Sequence, residues 1–187
     1  MTKVVYVVVR IISGSKRGLK LADFEGMDIR PTSDRVKEAL FSMIRQYVEG
    51  SNVLDLFAGT GSLALEALSR GAKSAVLVDN NKFSGKVINQ NINKTRFNER
   101  VKFINTDAIS FLKATQDKFD IIFVDPPYNQ NIFAKLIDEI ISHDIINNNG
   151  IIVYERDELY NHSIGDELRV LKDKKYGRTY ITVFEKV

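Results

Sequence analysis

The most distinctive chemistry lies in the tetrad Asp125-Pro126-Pro127-Tyr128, which directly follows the apolar run Phe119–Val124. Two consecutive prolines stiffen the backbone. The Asp125 carboxylate and the Pro126 carbonyl can each accept one N–H of an exocyclic amino group on a nucleobase. Held in this way, the amino nitrogen turns its lone pair outward and can attack a methyl group, while Tyr128 stacks on a base that has left its helix. The simpler interpretation is a rigid turn followed by a core tyrosine.

A glycine turn earlier in the chain predicts the other partner of this reaction. Gly59 and Gly61 follow the apolar segment around Asp55, and they let the backbone turn sharply before a helix. Their spacing to Ala64 and Asp79 also fits the dinucleotide fingerprint of nicotinamide-dependent dehydrogenases. A carboxylate at Asp55 would repel a pyrophosphate but suits a cation. S-adenosylmethionine carries an ammonium and a sulfonium group and fits this turn, whereas a turn or helix-capping role is the alternative for Asp55.

Two further carboxylates are expected at the same edge of the sheet. Asp79 ends the second core strand, where it can accept hydrogen bonds from a ribose diol. Asp107 directly precedes the next helix, so its carboxylate can accept the adenine amino group or cap the helix, and the two roles are compatible. The sequence therefore predicts one crevice lined by carboxylates at the carboxyl ends of the strands.

Composition excludes several other chemistries. The 187-residue chain is 44% hydrophobic and 27% charged, which is typical of one globular domain. It has no cysteine and only two histidines, so disulfides and cysteine-ligated zinc are excluded and no metal site is expected. The apolar run Val4–Ile12 is too short to span a bilayer and lacks a signal-peptide cleavage site. We expect a cytoplasmic monomer that contacts no membrane.

Basic residues are concentrated in two segments, although the formal net charge is only +3. Residues 1–22 carry five basic residues and no acidic one, and residues 82–102 carry six basic residues against Glu99. Such clustering indicates a polyanionic partner. Two ordinary solvated faces would give the same pattern.

Hydrophobic periodicity predicts an α/β fold, because strands and helices alternate from residue 53 onward. We expect a doubly wound, mostly parallel, seven-stranded Rossmann-like sheet that closes with an antiparallel C-terminal hairpin. Residues 4–12 and 19–21 predict a small N-terminal β-hairpin, and the apolar spacing up to Val48 predicts a helix that begins near Pro31. The prediction is a single domain over residues 1–187, in which a basic extension of residues 1–48 packs on a catalytic core of residues 51–187.

These motifs together resemble a known enzyme family. Asp55–Gly61 is similar to the S-adenosylmethionine motif of class I methyltransferases, and Asp125–Tyr128 is similar to their amino-group methylation motif. Three further stretches resemble the RsmD family, namely Arg10–Gly14 with Arg17-Gly18, Arg30–Phe41 and Lys175–Thr179. Members of that family methylate the N2 amino group of one guanine in bacterial 16S ribosomal RNA. The resemblance covers nearly all of the chain from Arg10 to Val187.

The resemblance implies a role for each matching position. Asp125, Pro126, Pro127 and Tyr128 would hold the guanine amino group as the catalytic residues. A pocket for S-adenosylmethionine would be lined by Thr32, Asp55, Phe57, Gly59, Gly61, Asp79, Asn80, Asp107 and Ala108. The RNA, either free 16S ribosomal RNA or an assembling 30S subunit, would be contacted by Arg10, Lys16, Arg17, Arg30 and Arg35. Family members begin close to Arg10, which implies a natural start near Val9.

Other functions remain compatible with the sequence at this point. A DNA adenine-N6 methyltransferase uses a similar tetrad, but the chain offers no spare segment for reading base edges. A non-catalytic nucleotide- or RNA-binding module would share the fold without the chemistry. A nicotinamide-dependent dehydrogenase is disfavoured by the carboxylate of Asp55.

Overall fold

The computed structural model describes residues 8–23, 33–126, 132–156 and 165–187. Seven strands form one sheet: β1 (Asn52–Asp55), β2 (Ser74–Val78), β3 (Val101–Ile104), β4 (Phe119–Val124), β5 (Ile146–Arg156), β6 (Leu168–Tyr176) and β7 (Thr179–Lys186). The helices of the described residues are α1 (Asp34–Met43), α2 (Arg45–Val48), α3 (Ser62–Ser69), α4 (Lys82–Thr95), α5 (Ala108–Ala114) and α6 (Phe133–Ser142).

The strand order is β3-β2-β1-β4-β5-β7-β6. The first five strands in this order are parallel to one another, whereas β7 pairs antiparallel with both β5 and β6. The predicted doubly wound, mostly parallel sheet with an antiparallel C-terminal pair is confirmed. Because the order reverses between β1 and β4, the carboxyl ends of these two strands flank a crevice in which α/β proteins bind ligands.

Alternation along the strands divides the apolar residues between two cores, one on each face of the sheet. Val53 and Phe123 point to the first face, where they pack with α1 to α4, and Leu54 and Val124 point to the second face, where they pack with α5 and α6. We call these the α1–α4 face and the α5–α6 face. The same alternation places Asp55 and, one residue beyond β4, Asp125 on the α1–α4 face.

The region around α1 differs in detail from the prediction. The helix begins after Ser33, whose side chain accepts a hydrogen bond from the Val36 N–H, as expected of a capping residue. A single helix was expected to continue to Val48, but the backbone breaks at Ile44 and α2 forms a separate short turn. Pro31, near which the helix was expected to begin, lies outside the described residues.

The predicted N-terminal hairpin lies only partly within the described residues, because residues 4–7 are outside them. Within the described residues it forms a single antiparallel bridge between Arg10 and Lys20, with a 3-10 turn at Gly14–Lys16. Backbone hydrogen bonds join Ile11 to Leu19 and Leu21 to Val9. The segment makes few ladder bonds because it packs against helices, through Val9, Ile11 and Leu21, instead of joining the sheet.

The predicted start of the fifth strand was wrong by four residues. The predicted strand covered Gly150–Tyr154. The strand begins at Ile146, and its register with β4 shifts between the pairs Phe119–Ile146 and Ile121–Ile151. The asparagines therefore form an irregularity within the strand.

The model gives no sign of a membrane-spanning segment in the regions it describes, because none of their helices is long and apolar enough. Within those same ranges, no group of three or more histidine, cysteine, aspartate or glutamate side chains is arranged to hold a metal ion.

Candidate functional site

Four of the predicted acidic residues lie at the carboxyl edge of four neighbouring strands. Asp55 is the last residue of β1, Asp79 directly follows β2, Asp107 follows β3, and Asp125 directly follows β4. Adjacent strands are about 4.8 Å apart, so the sheet gathers these carboxylates along one edge. The structure therefore brings together Asp55, Asp79, Asp107 and Asp125, as the sequence predicts.

The glycine turn connects β1 to α3 through two left-handed residues. Gly59 has φ 54° and Gly61 has φ 78°, conformations that favour glycine. A Cβ atom added at Gly61 would lie 2.9 Å from Leu77 Cδ2, so this glycine lets the turn pack closely on β2. A Cβ atom at Gly59 would meet nothing within 4 Å. The backbone at Gly59 therefore borders open space, as a ligand-binding turn requires.

Asp79 holds this turn from the neighbouring strand. Its Oδ2 accepts a hydrogen bond of 2.8 Å from the Gly59 N–H, and its Oδ1 accepts one of 2.8 Å from the Asn81 N–H. Asn80 is exposed beside it. Because each carboxylate oxygen has two lone pairs, Asp79 retains capacity for a ribose diol. Holding the turn is a function of Asp79 that sequence reasoning did not predict.

Asp107 caps a helix, which was one of its two predicted roles. Its Oδ1 accepts a hydrogen bond of 2.9 Å from the Ser110 N–H at the start of α5. The Ser110 side chain and backbone both stabilise the ionised form, so the pKa of Asp107 is lowered. Asp107 is exposed and Ala108 is buried. The adenine contact stays a prediction.

Asp55 is the most unusual side chain of this edge. It is only 1% exposed, and its Oδ1 atom has no hydrogen-bond partner within the described residues. Burial raises the pKa of Asp55 to about 7, with a further rise from the charge of Asp79, although the Phe57 and Ala64 N–H groups oppose the shift. A buried, partnerless carboxylate oxygen is costly unless a ligand completes its contacts. Phe57 itself is partly buried in the turn.

A second acidic residue accompanies Asp125 on the α1–α4 face. Burial raises the pKa of Asp125 well above its usual range, and the negative charges of Glu155 and Asp55 raise it further. Glu155, near the end of β5, was not predicted from the sequence, although it has the same signal as Asp55 and Asp125: an acid at the carboxyl end of an apolar strand. The three carboxylates form what we call the acidic triad of Asp55, Asp125 and Glu155.

The tetrad after β4 is described in part. Asp125 lies at the edge of the crevice and Pro126 is buried. Pro127 and Tyr128, predicted to complete the catalytic loop, lie outside the described residues, as do Thr32 and Arg30. Their roles stay predictions.

Lys37 is a buried charge that sequence reasoning missed. It is 1% exposed, and its Nζ donates to the Arg10 carbonyl at 2.6 Å and to Ser62 Oγ at 2.9 Å. Burial lowers the pKa of Lys37, while the nearby Glu66 carboxylate opposes that shift. Its position could have been found, because Lys37 is spaced three, four and seven residues before Leu40, Phe41 and Ile44, on the apolar face of the helix.

Glu66, a buried residue of α3, forms a network of charges with Lys37 of α1. Its Oε2 lies 3.9 Å from Lys37 Nζ, and its Oε1 accepts a hydrogen bond of 2.7 Å from Arg70 Nε. The backbone N–H groups of Ile12 and Ser13 donate to the same carboxylate at 2.7 and 2.9 Å. We call Lys37, Glu66 and Arg70 the paired network. It fastens the N-terminal segment to the helix that follows the glycine turn.

The other end of the N-terminal segment is fastened through Asn91. This buried side chain accepts a hydrogen bond from the Ala22 N–H and donates to the carbonyls of Ala22 and Thr60, at 2.6, 3.0 and 2.9 Å. Thr60 lies between the two glycines of the turn. One end of segment 10–22 is therefore linked to the start of α3, and the other end is linked through Asn91 to Thr60 of the glycine turn.

The predicted RNA-binding residues divide into two groups. Arg10 pairs with Asp34 at 2.7 Å, and both Arg10 and Arg35 are exposed near the start of α1. The Lys16 N–H instead donates to Ser69 Oγ at the far end of α3, about 10 Å along the helix from Ser62. Arg17 follows Lys16 and is exposed. Lys16 and Arg17 therefore lie near the amino-terminal edge of the sheet, away from Asp125.

The two basic segments of the sequence meet at this far edge. Lys16 Nζ and the Arg100 guanidinium lie 5.6 and 5.1 Å from the ring centre of Phe97, within the range of cation–π contacts. Arg100 also donates to the carbonyls of Lys73 and Ala72. One basic surface therefore contains the tip of the N-terminal segment and the turn between α4 and β3.

The strand order and glycine turn define the class of Rossmann-like methyltransferases, and comparison with known proteins agrees. The structure superposes on the yhhF protein of Escherichia coli with a TM-score of 0.86, at 27% identity, covering 95% of this chain and 97% of that one. A family model described as "Conserved hypothetical protein 95" matches residues 9–185. The chain belongs to that family.

Two relatives that match most of the chain are named as ribosomal RNA methyltransferases. The chain is 35% identical over 172 residues to the "Ribosomal RNA small subunit methyltransferase D" of Haemophilus influenzae, covering 90% of this chain and 89% of that protein. It is also 35% identical over 182 residues to YlbH of Bacillus subtilis, covering 95% and 98%. The resemblance to the RsmD family is confirmed.

Proposed function

We propose that this chain transfers a methyl group from S-adenosylmethionine to the exocyclic N2 amino group of a guanine in small-subunit ribosomal RNA. The observation that carries the proposal is the pair Asp55 and Asp125, which lie on one face of the sheet at the ends of adjacent strands. One carboxylate suits a cationic donor and the other suits an amino group. The names of the relatives support ribosomal RNA as the substrate class.

The residues around the glycine turn fit the cofactor. The buried Oδ1 of Asp55 lacks a partner within the described residues, and an ammonium group would supply one together with a compensating charge. The open space at Gly59 admits a ligand next to the backbone. Asp79 and Asn80 would hold the ribose, and Asp107 with Ala108 would hold the adenine. Thr32 and Phe57 would line the same pocket.

When bound, S-adenosylmethionine supplies a methyl group made electrophilic by its positively charged sulfur. Asp125 and the Pro126 carbonyl accept the two N–H groups of the guanine amine and turn its lone pair toward that methyl carbon. Held by Asp55 and the glycine turn, the cofactor would supply the methyl group to this nitrogen, and the electron pair of the broken C–S bond would stay on its sulfur. The nitrogen must then lose one proton, and the Asp125 carboxylate that holds the amine would accept it. Pro127 and Tyr128 would stiffen the loop and stack on the base.

The basic residues would hold the RNA by its phosphates. Arg10 and Arg35 lie near the start of α1, Lys16 and Arg17 lie at the opposite edge of the sheet, and Arg30 would contact the same RNA. Contacts of this kind position a nucleic acid without reading its sequence. Ribosomal RNA, free or in an assembling 30S subunit, would be met in the cytoplasm.

A labelled-methyl assay tests the proposal. Small subunits from cells lacking the enzyme are incubated with labelled S-adenosylmethionine, and the modified base is mapped. We expect label on guanine N2, and we expect Asp125→Ala to lower kcat about 10²–10³-fold because positioning of the amine is lost. The cofactor affinity of this variant should change little. Label on adenine or on DNA, or unchanged turnover in Asp125→Ala, contradicts the proposal.

A further inference from the structure

Asn91 is a fully buried amide whose side chain joins two other parts of the molecule. Burying an amide is costly unless its donors and its acceptor are bonded. Its Oδ1 accepts the Ala22 N–H, and its Nδ2 donates to the carbonyls of Ala22 and Thr60. These three bonds leave α4 and reach the end of the N-terminal segment and the glycine turn.

The bond to Thr60 holds one peptide group of the glycine turn. The Thr60 carbonyl and the Gly61 N–H belong to that peptide, and they point in opposite directions because the peptide is trans. Asn91 binds the carbonyl at 2.9 Å, and the Ala58 carbonyl accepts the N–H at 2.6 Å. The peptide is therefore held on both sides, next to Gly59, whose backbone borders open space.

A turn with two glycines needs such support from outside. Glycine has more backbone freedom than any other residue, so the turn keeps one shape only where other groups hold it. Asp79 holds the Gly59 N–H at 2.8 Å from the end of β2. Asn91 holds the next part of the turn from α4. The shape of the backbone that the cofactor approaches therefore depends on both side chains.

The amide of Asn91 also holds the end of the N-terminal segment, through both polar groups of Ala22 at 2.6 and 3.0 Å. Lys37 forms a parallel bridge at the other end of the segment, from the Arg10 carbonyl to Ser62 Oγ. Thr60 and Ser62 lie on either side of the second glycine. A shift of the segment must therefore change the turn.

We propose that Asn91 is a positioning residue for the cofactor: it fixes the Thr60 carbonyl, and through Ala22 it makes cofactor affinity depend on the N-terminal segment. This inference rests on the proposed function, in which the glycine turn binds S-adenosylmethionine and the segment contacts RNA. If Asn91 only fastened the segment, its two bonds to Ala22 would be sufficient. The third bond is directed at the turn that the cofactor contacts.

Calorimetric titration of the full chain with S-adenosylmethionine tests this role. Asn91→Leu has a similar volume but makes none of the three bonds, so the Thr60 carbonyl is released. We expect the Kd to rise at least about tenfold. In the methylation assay, kcat at saturating cofactor should fall less than the affinity does, because Asp125 is unchanged. A general loss of folded protein would instead lower the rate and leave the Kd as it was.

Asn91→Asp tests the bond to Thr60 separately. Its ionised carboxylate still accepts the Ala22 N–H but has no donor for the Thr60 carbonyl. By charge alone, an added carboxylate would attract the cationic cofactor, so a lower affinity in this variant isolates the lost hydrogen bond.

The matched control is Thr95→Val, one turn further along α4. Thr95 is fully buried, and its Oγ1 donates to the carbonyls of Asn91 and Ile92 in its own helix. The Kd of this variant should equal that of the wild type, whereas its free energy of unfolding, measured by urea denaturation, should fall.

Hydrogen exchange in the wild type tests the link to the N-terminal segment without any substitution. S-adenosylmethionine should slow exchange of the Ala22 N–H, which Asn91 holds. The Thr115 N–H, bonded to the Phe111 carbonyl at the end of α5, is the reference, and its exchange should slow less.

The outcomes distinguish the two proposals. An unchanged Kd in a folded Asn91→Leu or Asn91→Asp overturns the role of Asn91, and so does an equal rise of the Kd in Thr95→Val. If neither Asn91 variant folds, equal slowing of the Ala22 and Thr115 N–H groups overturns it. Failure of the wild type to methylate guanine contradicts the proposed function alone, because the binding and exchange measurements do not depend on it.

Discussion

The protein contains two buried groups of charges that are built in opposite ways. In the paired network, Lys37 and Arg70 both face Glu66, and two backbone N–H groups complete the carboxylate. In the acidic triad, Asp55, Asp125 and Glu155 are like charges, and an oxygen of Asp55 has no partner within the described residues. A paired carboxylate such as Glu66 holds the fold together, whereas a buried carboxylate oxygen without a partner, such as Oδ1 of Asp55, indicates a site that a ligand completes.

The location of each group agrees with this distinction. The paired network lies beneath the N-terminal segment, where it joins Arg10, Ile12 and Ser13 to α3. The acidic triad lies at the carboxyl edge, beside the glycine turn. The paired carboxylate of Glu66 and the partnerless oxygen of Asp55 therefore lie on the same face of the sheet but in opposite electrostatic environments.

The largest effect is expected from breaking the paired network. Glu66→Ala leaves Lys37 buried without its counter-charge and removes the acceptor of two backbone N–H groups. We expect the free energy of unfolding to fall by about 3–5 kcal/mol, measured by urea denaturation. The matched control is Glu38→Ala, which removes the other partner of Arg70 at a side chain that is 51% exposed. That variant should cost at most about 1 kcal/mol. Equal losses in the two variants would show that the network is not structurally special.

The next effect is expected from the pH dependence of Asp55, on which stability and cofactor affinity depend in opposite directions. The pKa of Asp55 is about 7 in the folded chain and lies near 3.8 in the unfolded one. The folded state therefore binds the additional proton between these values, and the free energy of unfolding falls as pH rises from about 4 to about 7. A cationic ligand favours the ionised carboxylate, so cofactor affinity should instead rise with pH, by at most about tenfold per unit below pH 7.

Calorimetric titration with S-adenosylmethionine between pH 5.5 and 7.5 measures how the cofactor affinity depends on pH. Binding below pH 7 should release a proton, which appears as a dependence of the measured heat on the ionisation enthalpy of the buffer. Asp55→Asn has no such proton to release, and it also corrects for titration of the ligand itself. A wild-type affinity that is flat over this range, or one that matches the slope of Asp55→Asn, would remove Asp55 from the cofactor site.

The sequence was sufficient for the parts of the molecule that local patterns determine. The apolar run Phe119–Val124 predicted β4 to the residue, and the acids at the ends of β1 to β4 were correctly expected at one edge of the sheet. Tertiary packing determined the rest. The apolar spacing of α1 contained the signal for Lys37, but its partner Glu66 is 29 residues away and is surrounded by apolar residues. The spacing of basic residues likewise could not show which end of α3 the N-terminal tip contacts.

The smallest effect is expected from the basic tip of the N-terminal segment. If Lys16 and Arg17 bind phosphates at the far edge, the double variant Lys16→Ala/Arg17→Ala should weaken binding of the small subunit a few-fold. The slope of log affinity against log salt should become shallower by about 0.7–0.9 for each lost contact. Cofactor affinity should not change, because neither residue lies at the crevice. Lys135→Ala, an exposed lysine on α6 and the opposite face, is the control. A salt slope that is unchanged in the double variant but reduced in Lys135→Ala would place the RNA on the α5–α6 face.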